Sequence, residues 1–197
     1  MDSAVFALDD SHLDRAADVM QRGFLDDPLF LAIWPDSDER AKSLKVLCQL
    51  NLSQARNTWT ALGIGEPIAG SLTANRSNDV GRPDDHFERL ESQLSPWAWQ
   101  RFKDVQAITH ADAELLRLTP EPHWYIHMLA VDPEAQGKGF GSALLRAVHT
   151  KADRDQMPTI LITLQPRNVP IYQHFGYEIV AEGTEPSAGL YYWSMKR

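Results

Sequence analysis

A glycine-rich stretch in the second half of the chain constrains the fold more than any other feature. The stretch reads DPEAQGKGFGSALL at 132–145, between an extended apolar run and a pattern with helical spacing. Its glycines let several amide N–H groups converge on one point, because no Cβ atom blocks the approach. The helix that follows adds amides without intrahelical acceptors and a positive potential at its N-terminus. The sequence therefore predicts a strand, an anion-binding loop and a helix.

Three anion-binding interpretations of this loop compete with a fourth in which the glycines only permit a tight turn. A P-loop would place Ser or Thr directly after its lysine, whereas Lys138 is followed by Gly139. A Rossmann fingerprint has the spacing Gly-x-Gly-x-x-Gly, and this loop reads Gly-x-Gly-x-Gly far from the N-terminus. Three glycines exceed what a single turn requires. The third anion-binding interpretation, a pyrophosphate loop of the pattern Gln/Arg-x-x-Gly-x-Gly/Ala, fits QGKGFG at 136–141.

A second segment supports the pyrophosphate loop. Together with LQPRNVPIYQHFGYEIV at 164–180, the loop resembles the signature of the GNAT superfamily of acyl-CoA-dependent acetyltransferases. The resemblance is close over 120–197 and looser upstream, and within the superfamily the pattern is most similar to puromycin N-acetyltransferase and its small-molecule relatives. The implied fold is α/β with mixed α and β elements. It has a central, mostly antiparallel mixed sheet of about seven strands with a splayed parallel pair, flanked by helices.

The remaining patterns fit a single domain over 1–197. A first strand at 4–8 precedes a helix capped by Ser11. A loop at 26–28 leads through 29–34 to a second helix at about 38–54. Strands at 59–62 and 68–73 form a hairpin around a turn at 63–66. Two helical patterns from 84 to about 118, with Pro96 starting the second, form an insertion before the central strand.

Composition limits the partners. The chain of 197 residues has 19 basic and 27 acidic residues, a net charge of -8, which argues against a nucleic-acid surface. No run approaches the ~18 apolar residues of a membrane span, and the N-terminus lacks the pattern of a signal peptide, so we expect no membrane contact and a cytoplasmic location. The single Cys48 lies in an apolar helical stripe, which predicts a buried thiol rather than a nucleophile. We expect a monomer or homodimer and no metal site.

The resemblance implies acetyl-CoA as the cofactor. The pantetheine arm would pair with the strand backbone at Leu129, Ala130 and Val131, as an added strand does. Asn168 matches the Asn that orients the cofactor side. The positions implied to hold the pyrophosphate are Gln136, Gly137, Lys138, Gly139, Phe140, Gly141 and Ser142.

Transfer of acetyl from a thioester to an amine needs a neutral amine, a polarised carbonyl and a proton for the leaving thiolate. Tyr172 matches the tyrosine whose hydroxyl meets the thioester sulfur, and is the predicted acid. An amine with a pKa of about 10 is mostly protonated at neutral pH, so a base with a pKa of roughly 7 helps. His127 resembles the catalytic histidine that arylalkylamine N-acetyltransferase relatives carry on the same strand. A histidine that only packs in the sheet and a water chain remain alternatives.

The resemblance places the acceptor pocket across the sheet from the cofactor, between residues 24–34 and the insertion. Its expected walls are aromatic and acidic, with Asp26 and Asp27 nearby, which suits a small, hydrophobic or aromatic primary amine. Core packing explains most of these aromatic residues equally well. A protein or peptide N-acetyltransferase and a non-catalytic acyl-CoA-binding regulator remain alternatives. The candidate substrate residues are Phe30, Trp34, Trp97, Glu121 and Tyr125.

Overall fold

The computed structural model describes residues 4–58, 60–79, 85–105 and 109–197. Trp59, the expected first residue of a strand, and residues 84 and 106–108 of the expected insertion lie outside the described residues. The strands are β1 (Val5–Ala7), β2 (Thr60–Ile64), β3 (Gly70–Arg76), β4 (Trp124–Val131), β5 (Thr159–Thr163), β6 (Glu178–Glu185) and β7 (Leu190–Lys196). The helices are α1 (Leu13–Phe24), α2 (Pro28–Ile33), α3 (Ser37–Thr58), α4 (His86–Gln93), α5 (Pro96–Val105), α6 (Thr109–Leu118), α7 (Phe140–Asp155) and α8 (Val169–His174).

The strands form one mixed sheet in the order β1-β2-β3-β4-β5-β7-β6. The β4–β5 pair is parallel and the other pairs are antiparallel. Within the described residues, β4 and β5 pair only through Trp124 with Thr159 and Tyr125 with Ile160, and the two strands then separate. The predicted seven-strand sheet with a splayed parallel pair is confirmed. The separation leaves one edge of the second half of β4 facing a gap.

A β-bulge interrupts β4 beside this gap. Thr73 of β3 lies opposite Met128, and the next residue, Ala74, lies opposite Ile126, so His127 is the extra residue of β4. Bulges re-aim side chains and occur often beside active sites. This bulge separates the paired half of β4 from the half that faces the gap.

Helices cover both faces of the sheet. On one face, α1 and α3 pack on Met128 and Ala130 of β4. On the other face, α7 packs through Leu144 and Val148 on strands β2, β3 and β4. The thiol of Cys48 is buried in α3, as predicted, and burial raises its pKa to about 12. It is therefore an apolar core group rather than a thiolate at neutral pH.

Three local expectations were wrong in ways that capping and pairing explain. Asp9, not Ser11, accepts the capping hydrogen bond from the Ser11 amide, at 2.9 Å. The expected loop at 26–28 ends in a helix start, because Asp27 caps α2 and Pro28 occupies its first position, so the connection at 29–34 is mostly helical. The turn of the β2–β3 hairpin lies after Ile64, since β2 remains paired with β3 up to that residue.

Over the described parts of the insertion, 85–105 and 109–118, there are three helices rather than two. The additional helix, α6, buries Leu115 and is fixed to the β6–β7 hairpin at two points. A carboxylate oxygen of Glu185 accepts a hydrogen bond from the Ala111 amide at 3.1 Å, and the Tyr192 hydroxyl donates to Glu114 at 2.6 Å. The insertion is therefore tied to the far end of the sheet.

Candidate active site

The glycine loop begins at a firmly held residue, Asp132. The guanidinium of Arg22 in α1 donates to its carboxylate at 2.5 and 3.1 Å, which holds the pKa of Asp132 below its ordinary value. The Asp132 amide donates to the Ala69 carbonyl at 2.8 Å. Its carboxylate also accepts from the Glu134 amide at 3.2 Å, which caps the turn that follows. The end of β4 is thereby fixed to both α1 and the β2–β3 hairpin.

The backbone of the loop has the form that a diphosphate requires. Gly137 and Gly139 have φ values of 77° and 83°, in the left-handed region, and Gly139 caps α7. A Cβ atom added at either glycine would meet nothing within 4 Å, so their backbone borders open space. The first amides of α7, from Phe140 to Ser142, have no acceptor within the helix and point toward its N-terminal end. The residues present therefore fit an anionic group with several oxygens.

The two long side chains of the loop fold back on its own backbone. The Gln136 amide donates to the Val131 carbonyl at 3.4 Å, and the Lys138 ammonium donates to the Glu134 carbonyl at 3.3 Å. Both side chains are exposed. They lie beside the backbone donors and add one cation to the site.

The hydrogen-bond pattern between β3 and β4 identifies which backbone groups of β4 face the gap. The Asp132 amide is hydrogen-bonded to Ala69, the residue directly before β3. Hydrogen-bonded and non-hydrogen-bonded pairs alternate along an antiparallel ladder, so Ala130, opposite Ser71, is also in a hydrogen-bonded position toward β3. Leu129 and Val131 then direct their N–H and C=O groups toward β5. The contact between Gln136 and the Val131 carbonyl agrees with this direction. Of the three predicted backbone positions, Leu129 and Val131 face the gap and Ala130 faces β3.

A cavity of about 840 Å³ opens from this gap. On the cofactor side it is lined by Leu129, by the end of β5 and by Asn168 and Tyr172. Asn168 is held there because its side-chain amide donates to the Thr163 hydroxyl at 3.4 Å. The apolar lining on the opposite side consists of Phe24, Leu29, Phe30, Ile33, Leu47, Phe87, Phe102 and Leu116. Polar lining comes from Asp27, Asn51, Thr73, Asn75, Ser77, Asp112, His123, Tyr125 and His127.

Tyr172 lies in α8 with its ring against Tyr177, at a centroid distance of 5.7 Å. The Tyr177 hydroxyl contacts Nε2 of His149 at 3.0 Å, and burial lowers the pKa of His149 to about 4. Burial, with a smaller contribution from the Asp27 carboxylate, raises the pKa of Tyr172 to about 12. The Tyr172 phenol is therefore protonated at neutral pH and able to donate.

His127 lines the same cavity from the bulge. Its Nε2 is hydrogen-bonded to the side-chain oxygen of Asn75, and its ring lies 4.4 Å from that of Tyr125. Because an amide oxygen accepts, a neutral His127 that keeps this contact would carry its proton on Nε2.

The expected substrate residues separate into two groups. Phe30 and Tyr125 line the cavity, and Tyr125 donates to the Asp112 carboxylate. Trp34 lies outside the cavity lining and is fully buried, with its indole N–H donating to the Ala98 carbonyl at 3.0 Å. Trp97 is 48% exposed and Glu121 pairs with Lys196, both away from the cavity. We leave Trp34, Trp97 and Glu121 out of the proposed site.

Asp27 is the cavity residue that the sequence reasoning undervalued, because it appeared only as part of an acidic wall. Its carboxylate oxygen accepts from the Leu29 amide at 3.0 Å at the start of α2. Burial raises its pKa to about 6. The pair Asp27-Pro28, a helix-start signal, would have identified a carboxylate fixed at a helix end.

The splayed strand pair, the glycine loop and the cavity beside Leu129 and Tyr172 are the principal features of the candidate site. Residues 103–197 match the family model of the acetyltransferase (GNAT) domain, and this part of the chain is an acetyltransferase domain of that family. The narrower likeness to puromycin N-acetyltransferases stays a prediction.

Individual relatives agree with this assignment. An uncharacterized N-acetyltransferase of Schizosaccharomyces pombe is 23% identical over 174 residues, 83% of this chain and 69% of that protein. A solved structure described as histone acetyltransferase HPA2 and related acetyltransferase, from Corynebacterium glutamicum, has a TM-score of 0.72 at 23% identity and covers 100% of this chain and 96% of its own. A mosquito arylalkylamine N-acetyltransferase like 5b has a TM-score of 0.69 at 13% identity and covers 99% of each chain. These two structures support the fold. Within the described residues, no helix has the length and apolar character to span a membrane.

Proposed function

We propose that this protein is an acetyl-CoA-dependent N-acetyltransferase of small molecules. It would transfer the acetyl group to the primary amine of a hydrophobic or aromatic acceptor by direct attack in a ternary complex. One observation carries the proposal: a single cavity joins the β4–β5 gap and Tyr172 to an apolar wall built by α2 and the insertion. A donor thioester and an acceptor amine can therefore meet inside one enclosure.

On the donor side, backbone groups would do most of the binding. The amides from Gly137 to Ser142 would hold the diphosphate, with Lys138 adding a positive charge. Leu129 and Val131 would pair with the pantetheine amides, as an added strand does. The Leu129 N–H would then lie beside the thioester carbonyl and stabilise the negative charge that develops on its oxygen. Bound acetyl-CoA supplies the activated acyl group and a thiolate leaving group.

Tyr172 is the proposed proton donor to that thiolate. Its raised pKa keeps the phenol protonated until the C–S bond breaks. His127, which lines the same cavity, is the proposed base. Asn168, held to Thr163, would keep the turn before α8 against β5 and so keep Tyr172 in place.

On the acceptor side, the lining favours a compact apolar amine. Phe30 and Phe102 form an aromatic wall, while Phe87 and Leu116 stand at the rim, 49% and 44% exposed. Helices α4, α5 and α6 occupy the side of the site where a protein acetyltransferase needs an open groove. The name of the mosquito relative, an arylalkylamine N-acetyltransferase like protein, supports an acceptor of this class.

The test is release of free CoA during incubation with acetyl-CoA and a panel of acceptors. We expect arylalkylamines to give kcat/KM at least ~10-fold above those of N-terminal peptides and lysine peptides, because the apolar wall contacts only the former. Initial rates that give intersecting lines would support the ternary complex. Faster turnover of peptides would favour the protein-modifying alternative. Tight acetyl-CoA binding with no turnover of any acceptor would favour the regulator.

The single-domain organisation over 1–197, the cytoplasmic location, the monomeric or homodimeric state and the lack of nucleic-acid partners stay predictions from the sequence.

A further inference from the structure

The end of the cavity remote from Leu129 differs from the apolar wall because polar side chains line it. We infer that this distal end binds a second, positively charged group of the acceptor, an ammonium or a guanidinium. The acceptor would then be a long amine with an apolar middle and a cation at its other end. The inference rests on the proposed function, because it names a second group on the acceptor of that acetylation. The residues of the distal end are Asn75, Ser77, Asp112, His123 and Tyr125.

Two side chains of the distal end use their donors within the protein. The Tyr125 hydroxyl donates to Oδ1 of Asp112, which lies on α6 of the insertion. The Asn75 side-chain amide donates to the Arg76 carbonyl at 2.8 Å. A phenolic oxygen that donates its proton can still accept, and an ionised carboxylate only accepts. This part of the distal end therefore offers acceptor atoms to a ligand.

His123 adds a further acceptor to the distal end. It lies directly before β4, is 6% exposed, and its Nδ1 contacts the Glu121 carbonyl at 2.8 Å. Because a carbonyl accepts, a neutral His123 that keeps this contact carries its proton on Nδ1, which leaves Nε2 as an acceptor. Among the residues that the structure describes, no protein group is hydrogen-bonded to Nε2. A buried acceptor without a partner on a cavity wall favours a ligand that donates a hydrogen bond.

The charged groups of the cavity lining favour a cation over a neutral donor. Asp27 and Asp112 line the cavity, and no lysine or arginine in the described parts of the chain does. Asp27 lies at the end near Tyr172, since it contributes to the raised pKa of that residue. Asp112 is the carboxylate of the distal end. A cation that leaves water for this space needs a partner of opposite charge, and Asp112 supplies it.

The register of β3 against β4 gives the length that the acceptor needs. Leu72 lies opposite Leu129, and Asn75, three residues further along β3, lies opposite Tyr125. At ~3.3 Å per residue, this spacing amounts to about 10 Å. The thioester carbonyl is proposed to lie beside Leu129. An acceptor that reaches the distal end must therefore hold its two nitrogen groups about 10 Å apart.

Matched acceptors test the inference on the wild-type enzyme. Octylamine and octamethylenediamine share one apolar chain and differ in the second ammonium group. We expect kcat/KM for the diamine to exceed that for the monoamine by about 10-fold or more, because hydrogen bonds to charged groups are among the strongest. Tetramethylenediamine is too short to span from Leu129 to Tyr125, so it should show no such preference over butylamine.

The substitution Asp112→Asn tests which residue holds the second cation. It removes the charge and keeps an oxygen that can accept from the Tyr125 hydroxyl. We expect the ratio of kcat/KM for octamethylenediamine to that for octylamine to fall by about 10-fold. Asp104→Asn is the matched control, because it makes the same charge change within the insertion. Asp104 is exposed, outside the cavity lining and hydrogen-bonded to Gln100 at 2.7 Å, so its variant should keep the wild-type ratio.

Three results would overturn the inference. The wild-type enzyme would show no preference for the long diamine, the short diamine would show the same preference as the long one, or Asp112→Asn would keep the wild-type ratio. Equal turnover of octylamine and octamethylenediamine would leave the proposed function intact. A wild-type enzyme that acetylates no amine would contradict the proposed function itself, which is a different result.

Discussion

The two ends of the cavity are built from different parts of the polypeptide. At the proposed donor end, the binding groups are backbone amides of β4, the glycine loop and α7, which adjoin the cavity at Leu129, and few side chains are needed. At the acceptor end, side chains from α1, α2, α3, the insertion and β4 converge on one space. A backbone site is sensitive to a Cβ atom at the glycines with positive φ but depends little on residue type elsewhere, whereas a side-chain site can be altered one contact at a time. The difference predicts that the donor end resists change and that the acceptor end determines specificity.

The largest effect is expected where the two ends meet. Tyr172→Phe removes the proposed proton donor and should lower kcat by roughly 10- to 1000-fold, with little change in acetyl-CoA affinity. Tyr191→Phe is the control, because Tyr191 is 45% exposed on β7 and outside the cavity lining. Steady-state kinetics with one arylalkylamine measures both variants. An unchanged kcat for Tyr172→Phe would show that Tyr172 is not the proton donor.

The backbone character of the donor end is tested by Gly139→Ala. The added Cβ would project into the open space beside the loop, at a φ of 83° that disfavours other residues. We expect the Kd for CoA to rise by about 10- to 100-fold, because the methyl group and the strain both oppose the backbone approach.

Gly189→Ala provides the comparison for that experiment. Gly189 has a φ of 66° and also has no atom within 4 Å of an added Cβ, but it lies in the β6–β7 turn. Gly189→Ala should lower the free energy of unfolding about as much as Gly139→Ala does. It should leave the Kd for CoA unchanged in calorimetric titration. Equal losses of affinity in the two variants would mean that strain, rather than the loop, governs binding.

Two helical glycines test how closely the helices must approach the donor strand. A Cβ at Gly23 of α1 would lie 2.8 Å from the Ala130 Cβ atom, so Gly23→Ala should lower the free energy of unfolding by about 1–3 kcal/mol. A Cβ at Gly141 of α7 would make only an ordinary 3.6 Å contact with Val131, so Gly141→Ala should be neutral or stabilising by up to about 1 kcal/mol. Denaturant unfolding measures both. Two variants that change the free energy of unfolding in the same direction would contradict the close packing of α1 on β4.

The smallest effect is expected at the rim of the acceptor end. Phe87→Ala removes a ring that is 49% exposed at the cavity, and should raise the KM for an aromatic acceptor about 3- to 10-fold. The Kd for acetyl-CoA should not change, because the ring is remote from the loop. Trp97→Ala, which removes a similarly exposed ring outside the cavity lining, should leave both constants unchanged. A change in acetyl-CoA affinity for Phe87→Ala would show that the two ends are not separable.

The difference between the backbone-built donor end and the side-chain-built acceptor end also explains how much of the fold and site could be predicted from the sequence. The strand, glycine loop and helix at 124–155 and the Cys48 stripe were predictable, because local spacing and glycine content determine them. The separation of β4 from β5 was predicted from the family resemblance and not from any local pattern. The bulge at His127 depends on the register of β3 against β4, which no local pattern reports.

The acceptor end was less predictable because it depends on tertiary packing. Phe30 lies in α2 and Trp34 directly follows that helix, yet Trp34 is fully buried while Phe30 lines the cavity. An aromatic pattern alone does not distinguish these two environments. Asp27 was visible as a helix cap, but its raised pKa depends on burial by side chains distant in sequence.

The central claim is that loop amides hold a diphosphate and so place an acyl group beside Tyr172. Calorimetric titration of the protein with CoA and with pantetheine, which lacks the diphosphate, tests it most directly. The account predicts that CoA binds at least ~100-fold more tightly than pantetheine, because several charge-assisted hydrogen bonds are lost with the diphosphate. Equal affinities for the two ligands, or no binding of CoA to the folded protein, would contradict it.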